Sequence, residues 1–80
     1  MNRLSQYVGN TPLIPITIGG CTVWGKCEFM NPSGSVKDRM ATFIVNDAER
    51  RKILKRGSTL CEATSGNSGI AFAMLAAERG

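Results

Sequence analysis

Residues 70–77 constrain the fold of this chain more than any other segment, because they read IAFAMLAA and carry no polar side chain. Their content of alanine, leucine and methionine predicts a helix. A helix that is apolar on every side is stable only where other elements bury it from several directions. A chain of 80 residues offers few such elements and buries only a modest fraction of its surface. We therefore expect the chain to be one piece of a larger protein.

The other predicted elements alternate between strands and helices. Two leading strands are expected within residues 13–29, separated by a pair of glycines, and the second should reach Phe29. A helix is expected over 35–55, a strand over 58–63 and a final helix over 70–79. The leading strands favour a hairpin, and the order of the elements after them predicts an α/β fold with parallel strand pairing.

The helix over 35–55 is expected to start with a capping box and to end before Gly57. Ser35 is followed three residues later by Asp38, which is the spacing that lets each side chain bond the other residue's backbone N–H. The apolar stripe of this helix, which should face the core, consists of Val36, Met40, Ile44 and Ala48, flanked by Ala41 and Val45.

The net charge of +4 raises the question of a nucleic-acid partner. Five of the ten basic residues lie within 50–56, at the end of a predicted helix, where the helix dipole stabilises cations. No interleaved aromatic residues accompany them, so we expect a solvated helix end and no nucleic-acid partner. Three cysteines without a CxxC pair, and no histidine, argue against a metal site. With neither a signal sequence nor a membrane-spanning stretch, the sequence favours a cytoplasmic protein.

The first motif that can carry chemistry, residues 31–39, reads NPSGSVKDR. It places Lys37 in the first turn of a predicted helix, behind Gly34, which permits the close approach of a ligand. The positive end of the helix dipole disfavours an ammonium group there, so the position suits a lysine that must react as a nucleophile. Taken alone, the motif is explained equally well by a surface lysine beside Asp38.

The second motif, residues 62–69, reads EATSGNSG and lies between a predicted strand and a predicted helix. Consecutive backbone N–H groups at a helix N-terminus, together with the hydroxyls of Thr64, Ser65 and Ser68, make an anion site. Its size suits a carboxylate or a phosphate, and the residues do not choose between them. A simple strand-to-helix turn with serine and asparagine caps is the alternative.

Together these motifs resemble the cysteine synthase and cystathionine β-synthase family of fold-type II enzymes that use pyridoxal 5'-phosphate (PLP). Residues 9–13 match the family's opening, 31–39 its lysine motif and 64–69 its asparagine loop, so the resemblance covers nearly the whole chain. The form GSVKDR is closest to the B-type cysteine synthases. The resemblance implies the N-terminal segment of a three-layer αβα fold with a mostly parallel sheet, incomplete within residues 1–80.

The resemblance also implies a role for each matching position. Lys37 would be the catalytic residue and would hold PLP as a Schiff base, and Asn67 would hydrogen-bond the ring oxygen of the cofactor. No metal is implied. The residues that would bind the substrate carboxylate are Thr64, Ser65, Gly66, Asn67 and Ser68.

The implied reaction is β-replacement on an activated serine of the O-acetylserine or O-phosphoserine type. A sulfur nucleophile replaces the leaving group and L-cysteine is formed, by a homodimer when the protein is of full length. The phosphate-binding loop of the family lies further along its sequence than residues 1–80. Two alternatives stay open: a relative that forms cystathionine or diaminopropionate, and a truncated, non-catalytic remnant.

Overall fold

The computed structural model describes residues 3–80. Two strands form the antiparallel hairpin that the sequence predicted: β1 spans Leu13–Ile18 and β2 spans Cys21–Lys26. Ile18 pairs with Cys21, and the two glycines between them have φ angles of 56° and 79°. A two-residue hairpin turn requires positive φ at its central positions, and glycine adopts it without strain. A 3-10 helix at Leu4–Tyr7 precedes the hairpin.

The expectation that the second strand reaches Phe29 is wrong. β2 ends at Lys26, and Glu28–Met30 forms a 3-10 helix. The side-chain amide of Asn31 donates to the Glu28 carbonyl oxygen at 2.9 Å. A side chain that bonds the backbone locally in this way competes with strand pairing, so the chain turns instead of extending the hairpin.

The first long helix, α1, spans Lys37–Arg50, and it begins later and ends earlier than predicted. Its end is a Schellman motif in which Lys52 has a φ of 61°. The Lys52 N–H donates to Glu49 O, and the Ile53 N–H donates to Ala48 O at 2.9 Å. These bonds satisfy the last carbonyl groups of the helix, and the left-handed residue turns the chain away before the predicted end.

The predicted capping box at the start of α1 does not form. The Asp38 carboxylate accepts hydrogen bonds from the Ser33 hydroxyl and from the Ser33 N–H, the latter at 2.7 Å. Ser35 Oγ accepts a bond from the Lys37 N–H at 3.2 Å. The loop before the helix turns at Gly34, where φ is 101°, and this turn brings Ser33 within reach of the carboxylate.

The second long helix, α2, spans Asn67–Arg79 and begins three residues before the predicted helix over 70–79. The segment 58–63, predicted as a strand, forms none. Strand formation needs a neighbour that supplies ladder hydrogen bonds, and within residues 3–80 the sheet consists of the β1–β2 pair. Of the helices in this part of the chain, none is long and apolar enough to cross a membrane.

The buried core lies between the two helices, where Ala41 and Val45 of α1 cluster with Ala71 and Leu75 of α2. Ala41 and Val45, the two residues that flank the predicted apolar stripe, are therefore buried. The predicted orientation of the stripe is wrong, because α2 packs on the neighbouring side of α1, where small side chains let two helices approach closely. The stripe residues left exposed are Val36, Met40 and Ile44.

Polar contacts at the end of α2 connect it to α1 and to the start of the chain. Arg79 Nε lies 3.3 Å from Glu49 Oε1, and Arg79 also pairs with Glu78. The Glu78 carboxylate accepts bonds from Ser5, at 3.1 Å from its N–H and 2.5 Å from its hydroxyl. Burial alone would raise the pKa of Glu78, but the bonds from Ser5 and the charge of Arg79 outweigh it and hold the pKa below its ordinary value.

The hairpin extends away from the helix pair. The radius of gyration is 15.3 Å, whereas a compact chain of this length has about 12 Å. Every residue of β1 is exposed, and so is every residue of β2 except Gly25, which is half-buried. Both faces of the hairpin, which carry Ile16 and Trp24 among other apolar side chains, are therefore open.

Candidate active site

The two long helices run in the same direction. Ile44 of α1 and Phe72 of α2 line one cavity. Further along both helices, Glu49 of α1 meets Arg79 of α2. Because the contacting positions rise together along the two helices, the helix N-termini lie at the same end of the pair.

Because the helices are parallel, the two predicted site segments, which lie at the helix N-termini, are at the same end of the helix pair. Lys37 precedes Ile44 by seven residues and Asn67 precedes Phe72 by five. These separations are about 10 Å and 8 Å along the respective helix axes. The predicted nucleophilic lysine and the predicted anion loop over 64–69 therefore lie near the same end, as a shared site requires.

Lys37 is the first residue of α1, and its side chain is exposed. Within residues 3–80 its ammonium group takes part in no ion pair with a carboxylate. The ammonium group of Lys26 is engaged in a different way, because it donates a hydrogen bond to the Thr11 carbonyl oxygen at 2.7 Å. Lys37 is thus available to react with a carbonyl compound as an amine nucleophile.

The loop in front of Lys37 contains a tight turn. The Gly34 N–H donates to Asn31 O at 2.8 Å, which closes a β-turn with Pro32 at its second position, where the fixed φ of proline is favoured. The φ of 101° at Gly34 would strain any other residue. Apart from Gly34 itself and its two neighbours in the chain, no residue has an atom within 4 Å of the position that a Cβ on Gly34 would take. This open space leaves room for a ligand beside the loop.

Thr64 organises the start of α2. Its Oγ1 accepts hydrogen bonds from the Gly66 N–H at 3.1 Å and from the Gly69 N–H at 3.0 Å. A Cβ on Gly69 would lie 2.6 Å from the Thr64 methyl carbon, so glycine is needed there. The oxygen of the Thr64 hydroxyl is thus engaged within the protein, and its hydrogen is the part that can reach a ligand.

Two backbone N–H groups at the start of α2, those of Asn67 and Ser68, have no acceptor in the part of the chain that the structure describes. Unpaired N–H groups and the helix dipole make this helix end attractive to anions. The side chains of Ser65 and Asn67 are exposed beside them, and Ser68 is half-buried. These donors fit a carboxylate or phosphate group, and the amine of Lys37 at the same end of the helix pair fits an aldehyde.

Sequence reasoning missed a polar cluster behind Lys37, centred on Glu28. Arg39 donates to both carboxylate oxygens of Glu28, from Nε at 2.5 Å and from Nη2 at 3.0 Å. The Thr11 hydroxyl also donates to this carboxylate, and so does the side-chain amide of Asn31, at 3.2 Å. The sequence signal for this cluster was Arg39, because a cation inside the lysine motif indicates an acidic partner.

These bonds stabilise the charged form of Glu28. Its pKa is lowered from 4.5 to about 2, first by the hydrogen bond from Arg39 and then by the one from Thr11. Because this pKa lies below that of the unfolded chain, the ionised carboxylate contributes its full stabilisation above about pH 4.5. The contribution is lost as the pH falls from there toward 2.

We expect the loss of the Glu28 contribution at low pH to be measurable in the complete protein. By the complete protein we mean one that carries residues 1–80 together with the rest of its fold. The free energy of unfolding of the Glu28→Gln variant should lie below that of the unsubstituted protein at pH 6. The difference should shrink as the pH is lowered from 4.5 toward 2. Urea unfolding at a series of pH values measures it, and a difference that does not change with pH would contradict the assignment.

The sequence of this chain is similar to those of known enzymes. A family described as pyridoxal-phosphate dependent enzymes matches residues 4–80. Cysteine synthase B of Salmonella typhimurium is 51% identical over 84 residues, which cover 100% of this chain and 28% of that protein. Cystathionine beta-synthase of Apis mellifera is 52% identical over 86 residues, which cover 100% of this chain and 17% of that protein.

The fold agrees with these sequence matches. The crystal structure of an O-ureido-L-serine synthase superposes with a TM-score of 0.92 and 46% sequence identity, and covers 100% of this chain and 26% of that one. The chain thus spans less than a third of the length of each of these proteins.

Proposed function

The chain belongs to the pyridoxal-phosphate dependent enzymes and has their fold-type II α/β architecture, and from this premise we propose that Lys37 is the lysine that attaches the cofactor. We further propose that the complete protein catalyses β-replacement on an activated serine, with a sulfur nucleophile, to give L-cysteine. The observation that carries the proposal is the exposed Lys37 at the start of α1, at the same end of the helix pair as the unpaired N–H groups of α2.

Bound PLP supplies an electron sink that stabilises negative charge at the α-carbon of an amino acid. The part of the protein is to hold the substrate and to move its protons. In this proposal Lys37 Nζ would hold the cofactor, and the free amine of Lys37 would take the proton from the substrate's α-carbon. The side-chain amide of Asn67, at the first position of α2, would donate to the ring oxygen of the cofactor.

The substrate carboxylate is assigned to the loop over 64–69 and the first turn of α2. Its hydrogen bonds come from the backbone N–H groups of Asn67 and Ser68 and from the hydroxyls of Thr64, Ser65 and Ser68. Thr64 contributes through its hydrogen alone, because its oxygen already accepts two bonds from the protein. The N-terminal end of the helix dipole favours the negative charge. Gly66, with a φ of 153°, lets the backbone turn toward the ligand.

Changing Ser65 or Ser68 to alanine tests the carboxylate site in the complete protein. Each change removes one hydrogen bond to a charged group, which is worth about 1.5–3 kcal/mol. We expect the dissociation constant of the amino-acid substrate to rise by about 10- to 100-fold, while PLP remains covalently attached. Titration of the visible absorbance with substrate measures the dissociation constant.

A matched control for these two variants is Ser58→Ala, because the Ser58 hydroxyl accepts the Lys55 N–H, away from α2's first turn. This variant should bind the substrate normally. Unchanged affinity in both the Ser65 and the Ser68 variants would count against the carboxylate assignment.

A second candidate function is the formation of cystathionine, because the identity to a cystathionine beta-synthase, 52%, is as high as the 51% identity to a cysteine synthase B. The two differ in the sulfur nucleophile, which is sulfide in one case and homocysteine in the other. Steady-state rates of the complete protein with each nucleophile, at equal concentration of activated serine, separate them. Faster reaction with homocysteine would replace the cysteine synthase proposal.

A further inference from the structure

The buried polar residues of the described part of the chain surround the segment that leads to Lys37. They are Thr11 at 7% exposure, Asn31 at 4% and Asp38 at 0%. None of them belongs to the apolar cluster between the helices. A buried polar group costs free energy unless hydrogen bonds satisfy it, so this region is held in one particular arrangement by its bonds.

One carboxylate, that of Glu28, collects most of these bonds. It accepts donors from three separate segments: Thr11 before β1, Asn31 in the loop, and Arg39 in the first turn of α1. Asn31 extends the connection, because its Oδ1 accepts the Gly9 N–H at 2.9 Å. The opening turn of the chain, the loop before the lysine and the start of α1 are therefore joined at a single side chain.

Apart from this connection, the start of α1 is held by bonds to its own loop, among them those from Ser33 to Asp38. Its N-cap residue, Val36, makes no side-chain hydrogen bond. The bond from the Lys37 N–H to Ser35 Oγ is exposed and 3.2 Å long. In the first turn, the Asp38 N–H donates to Ser35 O at 3.4 Å and the Arg39 N–H donates to Val36 O at 3.2 Å. Arg39, two residues after Lys37, connects this turn to the 3-10 helix at Glu28–Met30, since its guanidinium binds the Glu28 carboxylate through two nitrogens.

We propose that Glu28 is a positioning residue for Lys37, acting through Arg39 and Asn31 to hold the first turn of α1 and the loop before it. This inference rests on the proposed function, in which Lys37 attaches the cofactor. Glu28 holds the helix start in the orientation that brings the lysine amine to the aldehyde of PLP.

The Glu28→Gln variant of the complete protein tests the proposal. Glutamine keeps the shape of the side chain but presents an amide N–H₂ group to donors that need an acceptor. The apoprotein is mixed with PLP, reduced with borohydride after timed intervals, and the modified peptide is quantified by mass spectrometry. We expect attachment to be about 10- to 100-fold slower, since a misplacement of about 1 Å can cost a factor of this size. The final yield at saturating PLP should be unchanged.

A second measurement separates positioning from a loss of stability. The visible circular dichroism of bound PLP reports the orientation of the cofactor relative to the protein, and it should change in the Glu28→Gln variant. The matched control is Glu78→Gln, because Glu78 is also a carboxylate bonded to a hydroxyl and an arginine, but at the other end of the helix pair. Glu78→Gln should lower thermal stability and leave both the attachment rate and the circular dichroism unchanged.

If Glu28→Gln does not fold, Arg39→Lys takes its place, because lysine keeps the charge and loses the two-nitrogen contact. Slow attachment and altered circular dichroism in either variant, with a normal Glu78→Gln, support the proposal. Attachment at the unsubstituted rate with unaltered circular dichroism overturns it. Failure of the proposed function looks different: the unsubstituted protein would then form no adduct, or would form it at a lysine other than Lys37.

Discussion

Replacing Lys37 by alanine in the complete protein is expected to abolish covalent attachment of PLP. After borohydride reduction, the unsubstituted protein should carry the cofactor on the peptide that contains Lys37, and the variant should carry none. The visible absorbance of the attached cofactor and β-replacement activity should vanish together. The physical reason is that Lys37 is exposed at the end of the helix pair where the unpaired N–H groups of Asn67 and Ser68 also lie. Mass spectrometry of the reduced protein is the decisive measurement.

Lys55→Ala is the matched control, because Lys55 is another exposed lysine of the described chain, close to the opposite end of α1. It should retain attachment in full. An adduct on Lys26 or Lys55, or an adduct that persists when Lys37 is replaced, would refute the assignment. Lys26 is the less suitable nucleophile, since its ammonium group already donates to the Thr11 carbonyl oxygen at 2.7 Å.

The 80-residue polypeptide on its own is expected to unfold without a cooperative transition and to show no β-replacement activity. Within residues 3–80 the buried apolar cluster contains four side chains, two of them alanines. A core of this size supplies no more than about 3–5 kcal/mol, and an isolated two-stranded hairpin is marginally stable at best. Large apolar side chains such as Trp24 and Phe43 remain 60% and 73% exposed, which favours aggregation.

Differential scanning calorimetry and analytical ultracentrifugation of the purified polypeptide check this expectation, with and without PLP. Leu75→Ala serves as the control. In a cooperatively folded chain this change would cost about 2–5 kcal/mol, so it should visibly lower a genuine transition, and it should change little if none exists. A monomer with a sharp thermal transition that PLP raises would contradict the expectation.

Some features of the fold and of the candidate site follow from local sequence. The hairpin depends on a pair of glycines that adopt positive φ between two runs of strand-forming residues. A helix after the loop over 64–69 was also predicted, although α2 begins at Asn67, three residues before the predicted start. The two motifs that contain Lys37 and Asn67 were recognisable from residue order alone. Local chemistry of this kind is encoded within a few neighbouring residues, so the sequence predicts it well.

Other features depended on contacts between distant segments. The sequence indicated a capping box from Ser35 to Asp38, but Asp38 binds Ser33 because of how the loop folds. The apolar stripe of α1 was misplaced, because the position of α2 decides which side of α1 is buried.

The contacts of Glu28 could not be predicted from local sequence, because its partners lie far away along the chain. Thr11 lies 17 residues before it and Arg39 lies 11 residues after it. The sequence by itself determined the family, the hairpin and the two helices, which local residue patterns specify. Only the tertiary structure decided which face of α1 is buried and which carboxylate holds the start of that helix, because side chains far apart in sequence meet only after the chain has folded.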